Sequence, residues 1–299
     1  MTTNQRIGYL SAVLAFAAWG FYPLFFKQLA GFDIADVVAH RILWSFVLLL
    51  IGFVATSRLR QALRYLRELR CLRNVALSTV LLSINWACFV HAINTDRVLE
   101  SSLGYFLLPV VNAIFGVVFF KERLNRLKTA AVVVAGGGMA MVFIVAEIVP
   151  LLSLALALSF GAYGMMRKRS DLDSATGLFL ETLALCPFAL AYVLLAGADM
   201  TSRGASGAVL LMLSGAVTIF PLFAMVIAAR RIEFNVLGFL QYLTPIGHFL
   251  IAVLVYDEAI SLGYGLAFAT TWVAIALYSA GLIGSRKTES IHPRQSESS

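Results

Sequence analysis

An all-helical, polytopic membrane protein is the fold class that the sequence predicts, and three observations predict it. Of 299 residues, 60% are hydrophobic, and the mean hydropathy is +0.86. Only 13% are charged, about half the share of a soluble domain, so 16 acidic and 23 Lys/Arg side chains cannot coat a soluble fold of this length. The apolar residues fall into ten stretches, centred near Ala17, Val47, Leu82, Ile114, Val134, Ala157, Leu185, Leu213, Ile251 and Ala274. The same composition excludes a disordered chain, and 22 Gly and 7 Pro without a repeat exclude collagen-like and low-complexity classes.

Each stretch approaches the roughly 20 residues that carry a helix across a hydrocarbon core of about 30 Å, and none alternates as a barrel strand does. The first run, from Gly8 to Phe26, has no small-residue cleavage site and is expected to be a retained span. After the second span, residues 58–73 interleave six Arg with Leu59, Leu63, Leu66, Leu69 and Leu72. Helical spacing puts Arg60, Arg64 and Arg67 on one face, as in a helix lying on anionic lipid. Gly136-Gly137-Gly138 in the fifth span lacks the Lys-Ser/Thr of a phosphate loop and is read as a close-packing site. Residues 285–299 are polar and are expected to form a disordered cytoplasmic tail. Cys71, Cys88 and Cys186 are scattered and form neither a disulfide framework nor a metal site.

Charge sets the orientation. With ten spans, 19 Lys/Arg fall on the side of the two termini, only Lys27, Arg97 and Arg203 fall on the other, and Arg41 lies within a span. The positive-inside rule then makes both termini cytoplasmic and accounts for the net charge of +7 without nucleic acid.

The chain also reads as a duplicated half. Arg97, six residues, then Gly104-Tyr105 is matched by Arg231, six residues, then Gly238-Phe239. Pro109 and Pro245 follow, each with a glutamate thirteen residues later, Glu122 or Glu258. Trp19-Gly20-Phe21-Tyr22 matches Phe160-Gly161-Ala162-Tyr163 at an offset of 141. Five spans per half is an odd number, so the halves insert in opposite senses, an arrangement that places a substrate path at their interface.

The strings Ser102-Leu-Gly-Tyr-Phe-Leu-Leu-Pro109, Lys121-Glu-Arg-Leu124, Ser159-Phe-Gly-Ala-Tyr-Gly164, Gly177-Leu-Phe-Leu-Glu-Thr182, Ala228-Ala-Arg-Arg231 and Gly238-Phe-Leu-Gln-Tyr242 resemble the RarD-type proteins. These are a branch of the EamA-like drug/metabolite transporter superfamily, often labelled chloramphenicol-sensitive or chloramphenicol-resistance permeases. The resemblance covers roughly residues 7–284 and implies a ten-helix inner-membrane exporter, with EamA-like repeats at 7–146 and 150–284. One feature departs from the distantly similar small multidrug exporters, which use a carboxylate in their first helix. Span 1 here has no acid between Arg6 and Asp33.

An ionisable group inside a span costs about 2.5–3.5 kcal/mol on insertion scales and is a functional candidate by default. Glu181 is the acid lying well inside a span, and the offset of 141 sets His40 opposite it, beside Arg41. These three are the gating or coupling candidates. The competing reading is that they snorkel to headgroups or pair locally, for instance with Asp36. Pro109 and Pro245 free upstream carbonyls and are expected to kink their helices. Tyr105, Asn112, Gln241, Tyr242 and His248 near those kinks, with Tyr22 and Tyr163, are the expected walls of a substrate path. Trp19 and Trp86 read more simply as interfacial aromatics.

Gly204-Ala-Ser-Gly207 matches the serine string of rhomboid-type proteases, with His248 one span later, but the loop composition and the ten-span duplication do not suit that family. The expected function is therefore not enzymatic: a secondary transporter exporting a small organic metabolite or drug of the chloramphenicol type. Expected partners are membrane lipids, the solute and protons as coupling ion, with no cofactor or metal, in a monomer or weak homodimer. The alternative is a non-transporting membrane protein that assists assembly or regulation of a partner.

Overall fold

The computed structural model describes residues 2–121, 124–146, 150–196, 200, 203–229, 231–232 and 240–291. Glu122, Gly238, Phe239 and residues 292–299 lie outside them. The described residues fold into thirteen α-helices: α1 (Thr3–Gly20), α2 (Tyr22–Lys27), α3 (Ile34–Ala55), α4 (Leu59–Arg64), α5 (Leu69–Asn94), α6 (Val98–Phe106), α7 (Leu108–Phe120), α8 (Arg126–Ala146), α9 (Leu151–Lys168), α10 (Ser174–Leu195), α11 (Gly204–Ala229), α12 (Leu243–Leu254) and α13 (Leu262–Ile291). Six segments are long and apolar enough to cross a membrane: α1 with α2, α3, α5, α10, α11 and α13. The bent pair α6–α7 makes a seventh, and α9 and α12 are shorter apolar helices. Proline at the start of α7, Pro109, accounts for the 43° bend, because it cannot donate to the preceding turn. Pro245 sits in the first turn of α12 and is buried; the segment before Leu240 lies outside the described residues.

Two expectations change in detail. The basic stretch 58–73 does not form one interfacial helix. It makes the short α4 and a 3₁₀ turn over Tyr65–Arg67, breaks at extended Glu68, and then enters α5. Arg60, Arg64 and Arg67 are exposed while Ala62 is buried, so the amphipathic face survives at shorter length. Residues 285–291, expected as part of a tail, continue α13.

Lipid tails are as apolar as leucine, so close packing and interhelical hydrogen bonds, not hydrophobicity, select helix neighbours. The principal pairs fall into matched sets: α1–α11 with α9–α5, α1–α12 with α9–α6 and α9–α7, and α3–α11 with α10–α5. Exchanging the halves leaves α3–α10, α6–α12 and α8–α13 unchanged. The closest approaches follow the same pattern. A Cβ on Gly247 would stand 2.8 Å from the Gly20 Cα, and one on Gly161 would stand 2.6 Å from Val111. Gly161 lies 141 residues after Gly20, and Gly247 lies 136 after Val111, the offset that also relates Pro109 to Pro245. Lys121 and Asp257, again 136 apart, both adopt left-handed φ, +54° and +52°.

Asp173 sets the start of α10. Its carboxylate accepts from the Ala175 and Thr176 amides at 3.1 Å and from Arg58 Nη2 at 2.9 Å. Partial burial works against the charge, but the Thr176 hydroxyl and amide and the Arg58 guanidinium together hold this carboxyl below its ordinary value. Asp33 stands at the corresponding start of α3, 140 residues earlier.

Gly247→Ala forces backbone apart where α1 and α12 cross and is expected to destabilise the protein by about 1–3 kcal/mol. Thermal unfolding in detergent should show a lower Tm, with Gly52→Ala, which meets nothing within 4 Å, unchanged. Asp173→Ala should cost about 0.5–2 kcal/mol at neutral pH as a lost N-cap. Because the folded-state value is depressed, that stabilisation is complete above the unfolded carboxyl value near 3.9 and is lost as pH falls through the folded value. Wild type and variant should therefore converge in Tm in acid, which a pH series of melts will reveal.

Candidate functional site

One face of α5 organises the interior. Ser78, Leu82, Asn85, Trp86, Phe89 and Ile93 recur at helical spacing and are all buried. From Ser78 to Phe89 the stripe runs about 16 Å at 1.5 Å per residue. Its polar and aromatic members meet side chains of α3, α6, α9 and α10.

At the Ser78 end lies Glu181, with no exposed surface. The α5 hydroxyl of Ser78 donates to Oε1 at 2.6 Å, the α9 hydroxyl of Tyr163 donates to Oε2 at 3.1 Å, and Arg167 Nη1 stands 3.9 Å away. Arg167 also donates to the Asp173 carbonyl at 2.9 Å. It reaches inward because Gly177 has no side chain; a Cβ there would overlap the guanidinium. Gly177 and Glu181 are one turn apart on α10, so the glycine makes room for the cation and the glutamate receives it.

At mid-stripe Asn85 donates to the Leu156 carbonyl and Ser159 Oγ, both at 3.2 Å, and accepts from the Tyr105 hydroxyl at 3.3 Å. Tyr105 also meets His248 edge-on at 5.5 Å. His248 is 1% exposed, with Nε2 3.0 Å from the Trp19 carbonyl and Nδ1 3.5 Å from Ser101 Oγ. A carbonyl can only accept, so Nε2 carries a proton and His248 ties α12 to α1 and α6.

Beside Trp86 lies Arg41 on α3, 4% exposed. Its guanidinium sits 4.4 Å from the Trp86 ring, 4.8 Å from Phe26 and 5.7 Å from Tyr22. Nε donates to Thr218 Oγ1 at 2.9 Å, while Nη1 has no hydrogen-bond partner among the described residues. The Tyr22 hydroxyl donates to the Val217 carbonyl at 2.8 Å. Tyr22 also lines an open apolar cleft of about 380 Å³, formed with Ala18, Phe21, Phe25, Ala216 and Val217.

The expected site residues thus divide. Glu181 joins Tyr163, Arg41 joins Tyr22, and Tyr105 joins His248. His40 is buried, and neither ring nitrogen has a hydrogen-bond partner among the described residues. Arg41 is seven residues into α3 and Glu181 seven into α10, so the helix starts set Arg41, rather than His40, level with Glu181. Asn112 is exposed on α7, and Gln241 and Tyr242 are half-buried at the entry to α12. Ser206 is exposed, whereas the His248 ring is buried and held by Trp19 and Ser101, so among the described contacts Ser206 is not the serine that meets His248.

Ser78, Asn85, Arg167 and Thr218 escaped the sequence reading, and Trp86 is a buried cation platform rather than an interfacial aromatic. Ser78 and Asn85 carried a signal, two polar residues seven apart in an apolar helix. Arg167 carried none, since it lies in a run of three basic residues that reads as a cytoplasmic flank.

Comparison with known proteins fits this architecture. The model of the EamA-like transporter family matches residues 6–144. An uncharacterized transporter of Vibrio cholerae is 37% identical over 286 residues, covering 93% of this chain and 95% of its own. The protein RarD of Salmonella typhi is 36% identical over 279 residues, covering 92% and 95%. A crystal structure of a protein only 18% identical superposes over 93% of this chain and 98% of its own with a TM-score of 0.58, so the fold is shared. Identity of this order across nearly the whole of both chains establishes that the chain belongs to the EamA-like transporter family, as a multi-pass inner-membrane protein of the RarD type.

Proposed function

We propose that this transporter-like protein is a ten-span secondary exporter of a small organic solute, built from inverted repeats at 7–146 and 150–284 with both termini in the cytoplasm. The exchange of helix pairs between halves supports the repeat, as do the matched crossings at Gly20–Gly247 and Gly161–Val111. In this reading α8, α9 and α12 complete the spans beyond the six long segments and the bent pair. The charge asymmetry supports the orientation.

The observation that carries the proposal is Glu181, a carboxylate with no exposed surface that is held by Ser78, Tyr163 and Arg167 from two other helices. Such a group binds and releases one proton, and its donors change partner when it does. Protonation removes the negative charge that holds Arg167 inward, so α9 and α10 lose their shared ion pair. Contacts on either side of the stripe suit alternating gates. Arg58 pairs with Asp173 on the inferred cytoplasmic side. Lys27 pairs with Asp96, and Glu258 accepts from the Val98 and Leu99 amides, on the other. The chloramphenicol-type solute implied by the family resemblance is one member of the solute class to test.

Glu181→Gln keeps the shape of the side chain and one acceptor oxygen, replaces the other acceptor with an amide donor, and abolishes the titration. In proteoliposomes, counterflow of amino acids, small aromatic metabolites and chloramphenicol should fall by about tenfold or more in this variant, a typical coupling magnitude. The dependence of flux on a proton gradient should vanish with it. Equal flux in variant and wild type would reduce Glu181 to a structural residue. Absence of exchange with any solute would favour a role in assembly or regulation of a partner.

A further inference from the structure

The buried polar atoms that lack a hydrogen-bond partner are unevenly distributed. Of eight such atoms among the described residues, five lie on α3 between His40 and Ser45: both His40 ring nitrogens, Arg41 Nη1, Trp44 Nε1 and Ser45 Oγ. An unsatisfied buried polar group costs about 1–3 kcal/mol, so six consecutive residues concentrating five of them are not explained by packing. Arginine and indole nitrogens only donate, and a hydroxyl also donates. At Arg41, Trp44 and Ser45 what is missing is an acceptor, whereas the His40 ring, with one donor and one acceptor nitrogen when neutral, lacks both kinds of partner.

We propose that Arg41 is the binding group for the carboxylate of the transported solute, with Ser45 as a second donor one turn along α3; this rests on the transporter reading above. The guanidinium is prepared for that role. Rings of Trp86 at 4.4 Å and Phe26 at 4.8 Å pack against it, and Thr218 holds Nε, which leaves Nη1 for a ligand. A guanidinium recognises a carboxylate in its own plane, through parallel N–H···O bonds. No acid lies within 4 Å of Arg41 among the described residues, so one monoanion neutralises the site, whereas a phosphate dianion would leave it negative. Tyr22, whose ring lies 5.7 Å from the guanidinium, stands between Arg41 and the open apolar cleft and forms part of that cleft's wall. α11 lies directly against this turn, since a Cβ on Gly215 would come 2.6 Å from the Ser45 nitrogen. Binding and release of an anion at Arg41, beside this contact, would therefore be felt by a helix pair whose counterpart in the other half is α10–α5, the pair that holds Glu181. A buried cation for the solute and a buried acid for the coupling proton would then occupy equivalent places in the two halves.

The test uses the full-length protein and matched solutes differing only at the carboxyl: benzoate, phenylacetate and butyrate against benzamide, phenylacetamide and butyramide. Titration calorimetry in detergent measures binding, and counterflow in proteoliposomes measures exchange. Wild type should bind at least one carboxylate tenfold or more tighter than its amide. Arg41→Gln should erase that ratio, Arg41→Lys should keep part of it, and Ser45→Ala should lower carboxylate affinity severalfold without touching the amide. If Arg41→Gln fails to fold, the wild-type ratio and the Arg41→Lys and Ser45→Ala variants decide. Amides binding as well as carboxylates, no carboxylate binding at all, or a ratio that persists in Arg41→Gln would each overturn the proposal. Exchange of neutral or cationic solutes without carboxylate preference would overturn it while leaving the transporter reading intact. Carboxylate binding without exchange of any solute would keep Arg41 as an anion site and overturn the transporter reading instead.

Discussion

A carboxylate placed among apolar helices has to be solvated by the protein itself, and much of the interior is arranged around that requirement at Glu181. Water does not reach the side chain, so Ser78 and Tyr163 supply hydrogen bonds and Arg167 supplies charge. Each of those needs has a further consequence. Arg167 enters only because Gly177 is bare, and it is steadied by the carbonyl of Asp173, the residue that caps α10. Arg58 ties the same aspartate to the basic segment that precedes α5, the helix that carries Ser78. A chain of polar contacts thus runs from the inferred cytoplasmic edge to the centre of the bundle.

The opposite charge is handled differently. Arg41 has no carboxylate partner within 4 Å among the described residues and is instead surrounded by the π-faces of Trp86, Phe26 and Tyr22. Cation–π contact is worth about 2 kcal/mol when desolvated, less than a well-formed buried ion pair supplies to its partners. A protein that needed only a stable bundle would put an acid there or remove the cation. The two buried charges stand equally far into α3 and α10 and both touch α5, through Trp86 and Ser78.

Some of this is plain in the linear chain. Apolar run length and the segregation of Lys/Arg follow from transfer of side chains between water and lipid, which depends on composition within a window rather than on neighbours in space. The break at Pro109 is local backbone chemistry and was equally readable. Glu181 stood out for the same reason: an acid in an apolar helix is anomalous on its own. Trp86 was misread because an aromatic in an apolar helix has the same local signature whether it faces headgroups or a buried guanidinium. Asn112, three residues after its proline like His248, is exposed, whereas His248 is buried. The rotation of α7 about its axis decides that difference.

Span-like runs, the basic side, the duplicated pattern and the two intramembrane charges were therefore set by the order of residues, because each depends on partition or on periodicity along one helix. Only the folded bundle decided which charges meet which groups: that Glu181 is solvated by Ser78, Tyr163 and an arginine drawn in from a basic flank, and that Arg41 keeps an unpartnered Nη1 among aromatic rings. Those pairings join residues as far apart as 103 positions for Ser78 with Glu181 and 177 for Arg41 with Thr218. They depend on helix rotation and on close approach at single glycines, quantities set by packing between helices and carried by no window of sequence.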